Sequence, residues 1–278
     1  MGLQSGAVGF SMAAVCMWGT SDFLGGYAVR RANAFLLTTV THLFGLLLML
    51  ALALASHSAQ PARLAIEWAV AGGVSGGAAL AFFYRALSAG SMGLTATIGA
   101  VLGAAVPAVV GIVSEGWPGW ARVAGFVLAG AGIWLISRTE GHERPGGLGL
   151  AVLAGFGFAG FFLCMRQAGA GSAFWLAAWA RVGSLALTGA VVLAARSFGP
   201  LPRQSALLGA IGGCLDASGT ALFVRASQAG RLDVAVMLTS LYPAMTVILA
   251  RVILKEHFSR WKVVGLLAGL AAVVLIAA

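Results

Sequence analysis

Charged residues are scarce in this chain of 278 residues: they make up 9% of it, and Asp and Glu together number only 8. A soluble domain carries about 25% charged residues, because water has to solvate its surface. Hydrophobic residues make up 60% of the chain, and its mean hydropathy is +0.96. This composition excludes an ordinary soluble domain and predicts a chain embedded in a lipid bilayer.

Cysteine and the common catalytic motifs are also sparse or missing. The three cysteines, Cys16, Cys164 and Cys214, lie in separate apolar runs and lack the Cys-x-x-Cys spacing of a metal or redox site. The sequence contains no His-Glu-x-x-His motif and no P-loop. We therefore expect no metal, no cofactor and no enzymatic activity. A membrane enzyme acting on lipid, or a scaffold protein, is the alternative from another class.

Basic residues outnumber acidic ones, and the formal net charge is +9. They do not form one patch but fall mostly where the apolar runs stop. This distribution is typical of loops and membrane interfaces, and it argues against nucleic acid as a partner.

Apolar runs long enough to cross a membrane dominate what is present. A membrane-spanning helix needs about 20 mostly apolar residues. Breaks at charges, prolines and glycine clusters give ten candidate spans, of which the third, fifth and tenth are short. They lie near residues 5–28, 34–55, 68–87, 93–113, 120–137, 147–168, 173–195, 205–226, 233–254 and 261–278.

The second half of the sequence resembles the first half. The segment "FFYRALSAG", ending at Gly90, matches "LFVRASQAG", ending at Gly230, and "WARVAG" from 120 matches "WKVVG" from 261. An overlay of the second and seventh spans places His42 opposite Arg181. We predict two units, residues 1–140 and 141–278, of five helices each. Because five is odd, the second unit would enter the membrane from the other side, which is the inverted-repeat arrangement of many secondary transporters.

Three segments carry a family resemblance: "WGTSDF" at 18–23, "YRALSAG" at 84–90, and "LTSLYPAMTVILARVILKEHFSRWKVVGLLAGLAAVVLIA" from 238. With them, the chain resembles the ten-helix, EamA-type permeases of the drug/metabolite transporter superfamily. The resemblance implies an all-α integral membrane protein whose helices surround a central cavity. It also implies transport of small metabolites, often outward. The fourth span contains no aromatic residue, which argues against a specifically aromatic substrate.

Asp216 lies near the middle of the eighth span, with no other acidic residue nearby in the sequence. A carboxylate at the bilayer centre costs about 2.5–3.5 kcal/mol on insertion scales, so it needs a partner or a wet cavity. Two interpretations are open. Asp216 forms a structural ion pair with Arg181 of the seventh span, or it is a proton-coupling site that also contacts substrate.

The first unit offers a similar set of polar groups. Asp22 lies late in the first span and His42 about two turns into the second, so we consider both as proton-coupling or ion-pair residues. Trp18 shares a helix face with Asp22, and a tryptophan beside a carboxylate suits a cationic or amphipathic ligand. We therefore predict that Trp18 and Asp22 bind substrate. Tyr84 and Phe158 are further candidates for the lining of the cavity.

The ninth span carries hydroxyl groups next to a proline. Thr239 and Tyr242 are predicted substrate-binding residues, and Pro243 is predicted to kink the helix because it lacks a backbone N–H. Pro107 in the fourth span is a second predicted hinge.

Together these features predict a monomeric, multi-pass transporter of the bacterial cytoplasmic membrane. We expect it to export amino acids or similar small metabolites by alternating access, and proton coupling is an open question. Import of a vitamin-like or other organic solute on the same fold is the alternative. The positive-inside rule would place both termini outside, whereas the family resemblance implies termini in the cytoplasm, so the orientation stays open.

Overall fold

The computed structural model describes residues 2–89, 92–137, 147–196, 198–255 and 259–277. Within these residues the chain is helical and contains no strand. A short 3-10 turn, Val29–Arg31, follows the first helix. The α-helices are α1 Gly2–Ala28, α2 Ala34–Ala55, α3 Arg63–Ala89, α4 Met92–Glu115, α5 Trp120–Ser137, α6 Leu148–Gln167, α7 Ala173–Ala194, α8 Arg203–Ala229, α9 Leu232–Thr239, α10 Tyr242–Leu254 and α11 Arg260–Ala277.

Seven helical segments of the described chain are long and apolar enough to cross a bilayer. They are Gly6–Arg31, Ala34–Ala55, Arg63–Phe83, Leu148–Gln167, Ala173–Ala194, Arg203–Ala229 and Leu232–Ile253, and Val101–Glu115 and Trp120–Leu135 are shorter apolar helices. Large apolar side chains also stay on the outer surface: Val113 is 81% exposed and Val274 70%. Such a surface is stable against lipid, so the fold is that of a multi-pass membrane protein.

The third helix begins earlier than the apolar run predicts. The run starts near residue 68, but α3 starts at Arg63. Nε of Arg63 donates to Oε1 of Glu67 at 2.8 Å, one helical turn further on. A pair of opposite charges four residues apart stabilises a helix in water, so α3 continues beyond its apolar segment.

The predicted ninth span is interrupted between α9 and α10, at Ser240 and Leu241. Pro243 stands in the first turn of α10, where a missing N–H costs no hydrogen bond. Ser240 Oγ donates to the carbonyl of Val236 at 2.7 Å and so satisfies an acceptor at the end of α9. α4, by contrast, continues through Pro107.

The helix pairs that pack together are related by symmetry: exchanging each helix for its counterpart in the other half gives the same set of pairs. If α1 to α5 are matched in order with α6, α7, α8, the broken segment α9–α10, and α11, then the packing of α1 on α8 becomes that of α6 on α3. In the same way α2 on α8 becomes α7 on α3, while α2 packs on α7 and α5 on α11. The interface between the halves is therefore built from two related sets of contacts.

Glycines make the closest of these approaches possible. A Cβ added at Gly73 in α3 would collide with the carbonyl of Ala180 in α7, and one at Gly213 in α8 with the carbonyl of Thr41 in α2. Gly73 and Gly213 are 140 residues apart, and each lets a helix of its own half approach a helix of the other half. Small residues are the usual means of close helix packing in membranes, where lipid offers no hydrophobic drive.

Candidate functional site

A cavity of about 730 Å³, counting the open space at its mouth, lies between the two halves. Seven intact helices, and the region around the break between α9 and α10, contribute to its wall. Its lining residues are Trp18, Asp22, His42, Gly76, Leu80, Gly103, Phe158, Phe161, Phe162, Ala180, Arg181, Ser184, Asp216, Thr220, Ser240 and Tyr242. The wall is mainly apolar and aromatic, with one group of charged residues.

An ion pair between Arg181 and Asp216 stands at the centre of that group. Nη1 of Arg181 donates to Oδ2 of Asp216 at 2.5 Å, and the arginine is only 5% exposed. Nη2 donates to Thr220 Oγ1, also at 2.5 Å. The structure thus contains the ion pair that was one of the two interpretations of Asp216. A carboxylate matched in this way needs no proton to be tolerated inside the membrane.

His42 completes the surroundings of the guanidinium. Its Nδ1 lies 3.2 Å from Nη1 of Arg181. Because arginine has no acceptor and keeps its charge, Nδ1 must be the acceptor, and the neutral ring carries its hydrogen on Nε2. Nε2 is buried, with no partner among the residues that the structure describes. His42 is therefore associated with Arg181 of the other half rather than with Asp22 of its own.

Asp22 differs from Asp216 in having no counter-charge. It lines the cavity and lies close enough to Asp216 and Tyr242 to interact electrostatically with both. No hydrogen bond or ion pair joins its carboxylate to any residue in the described ranges. Its neighbour Ser21, in contrast, donates to the carbonyl of Gly212 at 2.8 Å and so fixes α1 against α8.

Aromatic side chains form one wall around Trp18. The ring centroid of Trp18 lies 5.9 Å from that of Phe162, 5.9 Å from that of Phe223 and 6.4 Å from that of Tyr242. Its indole N–H donates to the backbone carbonyl of Asp216 at 3.1 Å. Trp18 therefore joins α1 to the ion-pair helix and presents only carbon surface to the cavity.

The other predicted site residues lie in different surroundings. Phe158 lines the cavity and meets Phe83 edge-on, with 5.9 Å between ring centroids. Thr239 is buried and donates to the carbonyl of Ala235 within its own helix, and its neighbour Ser240 lines the cavity instead. The side chain of Tyr84 lies outside the described residues.

Sequence reasoning missed Thr220 and Ser184. Thr220 follows Asp216 by four residues, so the helical period alone places both on one face and could have identified it. Ser184 has no comparable signal. It lines the cavity, and its hydroxyl donates to the carbonyl of Gly73 on a helix of the other half.

A second charged cluster joins the ends of α4, α6 and α9. Glu115 at the end of α4 accepts from Nη2 of Arg166 in α6 at 2.9 Å and from the backbone N–H of Leu232 at 3.2 Å. Arg231 donates to the carbonyls of Glu115 and Gly116 and to the fully buried carboxylate of Asp233. The bond to Asp233 raises the pKa of Arg231. We call Glu115, Arg166, Arg231 and Asp233 the Glu115 network.

A model of the EamA-like transporter family matches residues 5–138 and, a second time, residues 145–278. The chain belongs to the EamA-like transporter family. It is therefore a membrane transporter of the drug/metabolite type, built from two EamA repeats, that works in a lipid bilayer on a small-molecule substrate.

Solved structures share the EamA fold seen here. At least 22 chains of solved structures match. One of them, described as a crystal structure of a protein, superposes with a TM-score of 0.77 at 18% sequence identity, and the match covers 97% of each of the two chains. At that identity the likeness shows the fold alone. None of the curated proteins compared with this chain matches it.

Proposed function

We propose that this protein is a secondary transporter of the bacterial cytoplasmic membrane that exports amino acids or similar small metabolites by alternating access. The observation that carries the proposal is the cavity between the halves, lined by aromatic carbon surface and by Asp22, Arg181 and Asp216. A small organic solute with one charged group matches such a wall. In transporters built from repeats, the substrate site lies between the repeats.

The proposed architecture is ten membrane-spanning segments in two inverted units, residues 1–140 and 141–278, with the interrupted helix α9–α10 counted as one span. The exchange of packing partners between the halves supports this arrangement. So does the odd number of segments in each unit, because it reverses the direction of the second unit. We propose a monomer as the functional unit, because both halves of this chain contribute side chains to the wall of the cavity.

Alternating access requires one end of the bundle to be closed while the other opens. The Glu115 network ties α4 of the first half to α6 and α9 of the second, so it supports a closed end there. At a separation of 140 residues, the counterparts of Glu115 and Arg166 are Lys255 and Gly26. That pair cannot form an equivalent ion bridge, so we propose that the opposite end is the one through which the cavity opens.

We assign proton coupling, as part of the same proposal, to Asp22 rather than to Asp216. Arg181 already balances the charge of Asp216, so protonating Asp216 would leave a buried guanidinium unmatched. Asp22 has no such partner and lines the same cavity as Asp216, Tyr242, His42 and Arg181.

Counterflow into proteoliposomes tests the proposed function. Vesicles containing the purified protein and a high internal concentration of one unlabelled amino acid should accumulate the labelled form, and a panel of amino acids and vitamins is tested in turn. Gly189→Ala should retain the flux, because a Cβ there meets nothing within 4 Å. Exchange of vitamins alone would favour an importer of such solutes. Folded protein that exchanges no member of the panel would overturn the proposal.

A further inference from the structure

The charges around the cavity do not balance. Arg181 is the only cation among the described residues that line it, and Asp22 and Asp216 are the only carboxylates. The guanidinium is committed to Asp216, Thr220 and His42 through both of its terminal nitrogens. It therefore has no terminal nitrogen left with which to bind a carboxylate on a substrate.

Asp22 accounts for the excess negative charge. Its carboxylate is half-buried, and in the described part of the chain it accepts no hydrogen bond and joins no ion pair. Its interaction with Asp216 is repulsive, and Tyr242 beside it carries no positive charge. A cation placed next to Asp22 would therefore meet an acceptor that nothing else in the cavity neutralises.

The surroundings of Asp22 are suited to the apolar body of such a cation. Trp18 lies one turn earlier on the same helix face, and Phe158, Phe162 and Tyr242 complete the wall. The N–H of Trp18 is already donated to the carbonyl of Asp216, so the indole offers carbon surface and its π system. Aromatic rings attract organic cations through their quadrupole, most strongly where water is excluded.

His42 supplies an uncommitted neutral donor of the cavity wall, next to the buried Nε–H of Arg181, which also has no partner in the described ranges. The ring is 1% exposed, it is neutral, and its Nε2–H has no partner in the described ranges. A neutral donor beside an excess negative charge suits a neutral acceptor, such as a carbonyl or hydroxyl oxygen, better than a second carboxylate.

We infer that the cavity recognises organic monocations: an ammonium group paired with Asp22 and an apolar body against Trp18, Phe158 and Tyr242. The inference rests on the proposed transport function and narrows its substrate class from amino acids in general to amines and to amino-acid derivatives without a free carboxylate. A zwitterion would bring a carboxylate into a cavity whose only guanidinium is already paired.

Four probes that share one phenyl ring separate charge from shape. Phenethylamine is a cation, phenylalanine a zwitterion, hydrocinnamate an anion and phenethyl alcohol neutral. Calorimetric titration of the purified full chain in detergent should give the tightest binding for phenethylamine, on the order of tenfold or more above phenylalanine, and the weakest for hydrocinnamate. Binding of phenylalanine or hydrocinnamate as tight as that of phenethylamine would overturn the inference, as would the absence of phenethylamine binding.

Asp22→Asn tests whether that carboxylate carries the preference. The variant should bind phenethylamine and phenethyl alcohol about equally, a loss of roughly tenfold for the amine. It should keep the thermal unfolding midpoint of the parent protein, because Asp22 holds no structural partner. Glu67→Gln removes a carboxylate on the surface and should leave the order of the probes unchanged. If Asp22→Asn kept the amine preference, the assignment to Asp22 would be wrong.

Counterflow tests the proposed transport, and binding of the four probes tests the recognition of monocations, so the two proposals can fail independently. Amine binding without any counterflow would contradict transport and leave the recognition of monocations intact. Counterflow of free amino acids without a preference for amines would support transport and refute the inference.

Discussion

The two halves of the molecule are alike in how they pack and unlike in the charges they carry. Gly73 and Gly213 occupy equivalent positions, and each lets its helix approach a backbone carbonyl in the helix it packs against, that of Ala180 or Thr41. Ala180 and Thr41 are themselves equivalent in the overlay that places His42 opposite Arg181. The interface between the halves thus uses this contact twice.

The residues of the cavity do not repeat in this way. Arg181 stands opposite His42, and at a separation of 140 residues Asp216 stands opposite Gly76, which has no side chain to ionise. The same separation pairs Asp22 with Phe162. All these positions line the cavity. The packing of the fold depends on the symmetry of the two halves, whereas a site that recognises one end of a small molecule requires different residues in the two halves.

The largest effect should come from disturbing the repeated contact. Gly73→Ala and Gly213→Ala each force a methyl group against a backbone carbonyl that cannot move aside, so each should lower stability by about 3 kcal/mol, the upper end of the usual cost of overpacking. Thermal unfolding in detergent, followed by tryptophan fluorescence, measures the loss. Gly189→Ala changes a helix glycine in open space and controls for the gain in helix propensity. If Gly73→Ala and Gly213→Ala unfolded at the same temperature as Gly189→Ala, the close approach of the helices would not stabilise the interface.

A somewhat smaller effect, and one confined to the second half, is expected at the ion pair. Asp216→Asn leaves the guanidinium of Arg181 without its counter-charge. A fully dry pair would lose about 3–5 kcal/mol. Because the side chain of Asp216 is 19% exposed and asparagine can still accept a hydrogen bond from Arg181, we expect a loss of about 1–2 kcal/mol. The double variant Arg181→Met, Asp216→Leu removes both charges and should regain most of that stability. Denaturation of the three proteins side by side provides the test. A double variant no more stable than Asp216→Asn would show that the unmatched charge is not the cause.

The smallest effect is expected at the closed end. Glu115→Gln weakens the bridge to Arg166, and we expect residues 227–239 to exchange amide hydrogens several-fold faster because local opening there becomes easier. Hydrogen–deuterium exchange with mass spectrometry measures it. Glu67→Gln breaks an exposed pair with Arg63 and serves as the matched control. Equal exchange in the two variants would mean that the Glu115 network does not hold this end closed.

Much of the helical framework could be predicted from the sequence, because a bilayer fixes the length and polarity of a span before any tertiary contact forms. The predicted run 34–55 and the helix Ala34–Ala55 have the same bounds. The family assignment was also confirmed, since the segments at 18–23 and from 238 lie within the matched repeats. The start of α3 at Arg63 was missed, because hydropathy does not register a helix stabilised by a surface ion pair.

The site was harder to predict. Hydropathy identified Asp216 and Arg181 as charges inside membrane spans. Whether they pair depends on how each helix is rotated about its axis. This rotation depends on tertiary packing, such as the close approaches at Gly73 and Gly213. The sequence also suggested a couple between Asp22 and His42, and the structure instead brings His42 to Arg181. This difference leaves Asp22 alone, which no pattern within one helix could have revealed.

The central claim is that the two halves are inverted copies that enclose one cavity, and labelling from the two sides of the membrane tests it most directly. Arg31 and Ala170 are exposed residues on equivalent links, between α1 and α2 and between α6 and α7. Each is replaced by cysteine in a chain whose Cys16, Cys164 and Cys214 are changed to alanine, and a membrane-impermeant maleimide is added to intact cells. One of the two cysteines should react at once and the other only after the membrane is permeabilised. Reaction of both from the same side would contradict the inverted arrangement.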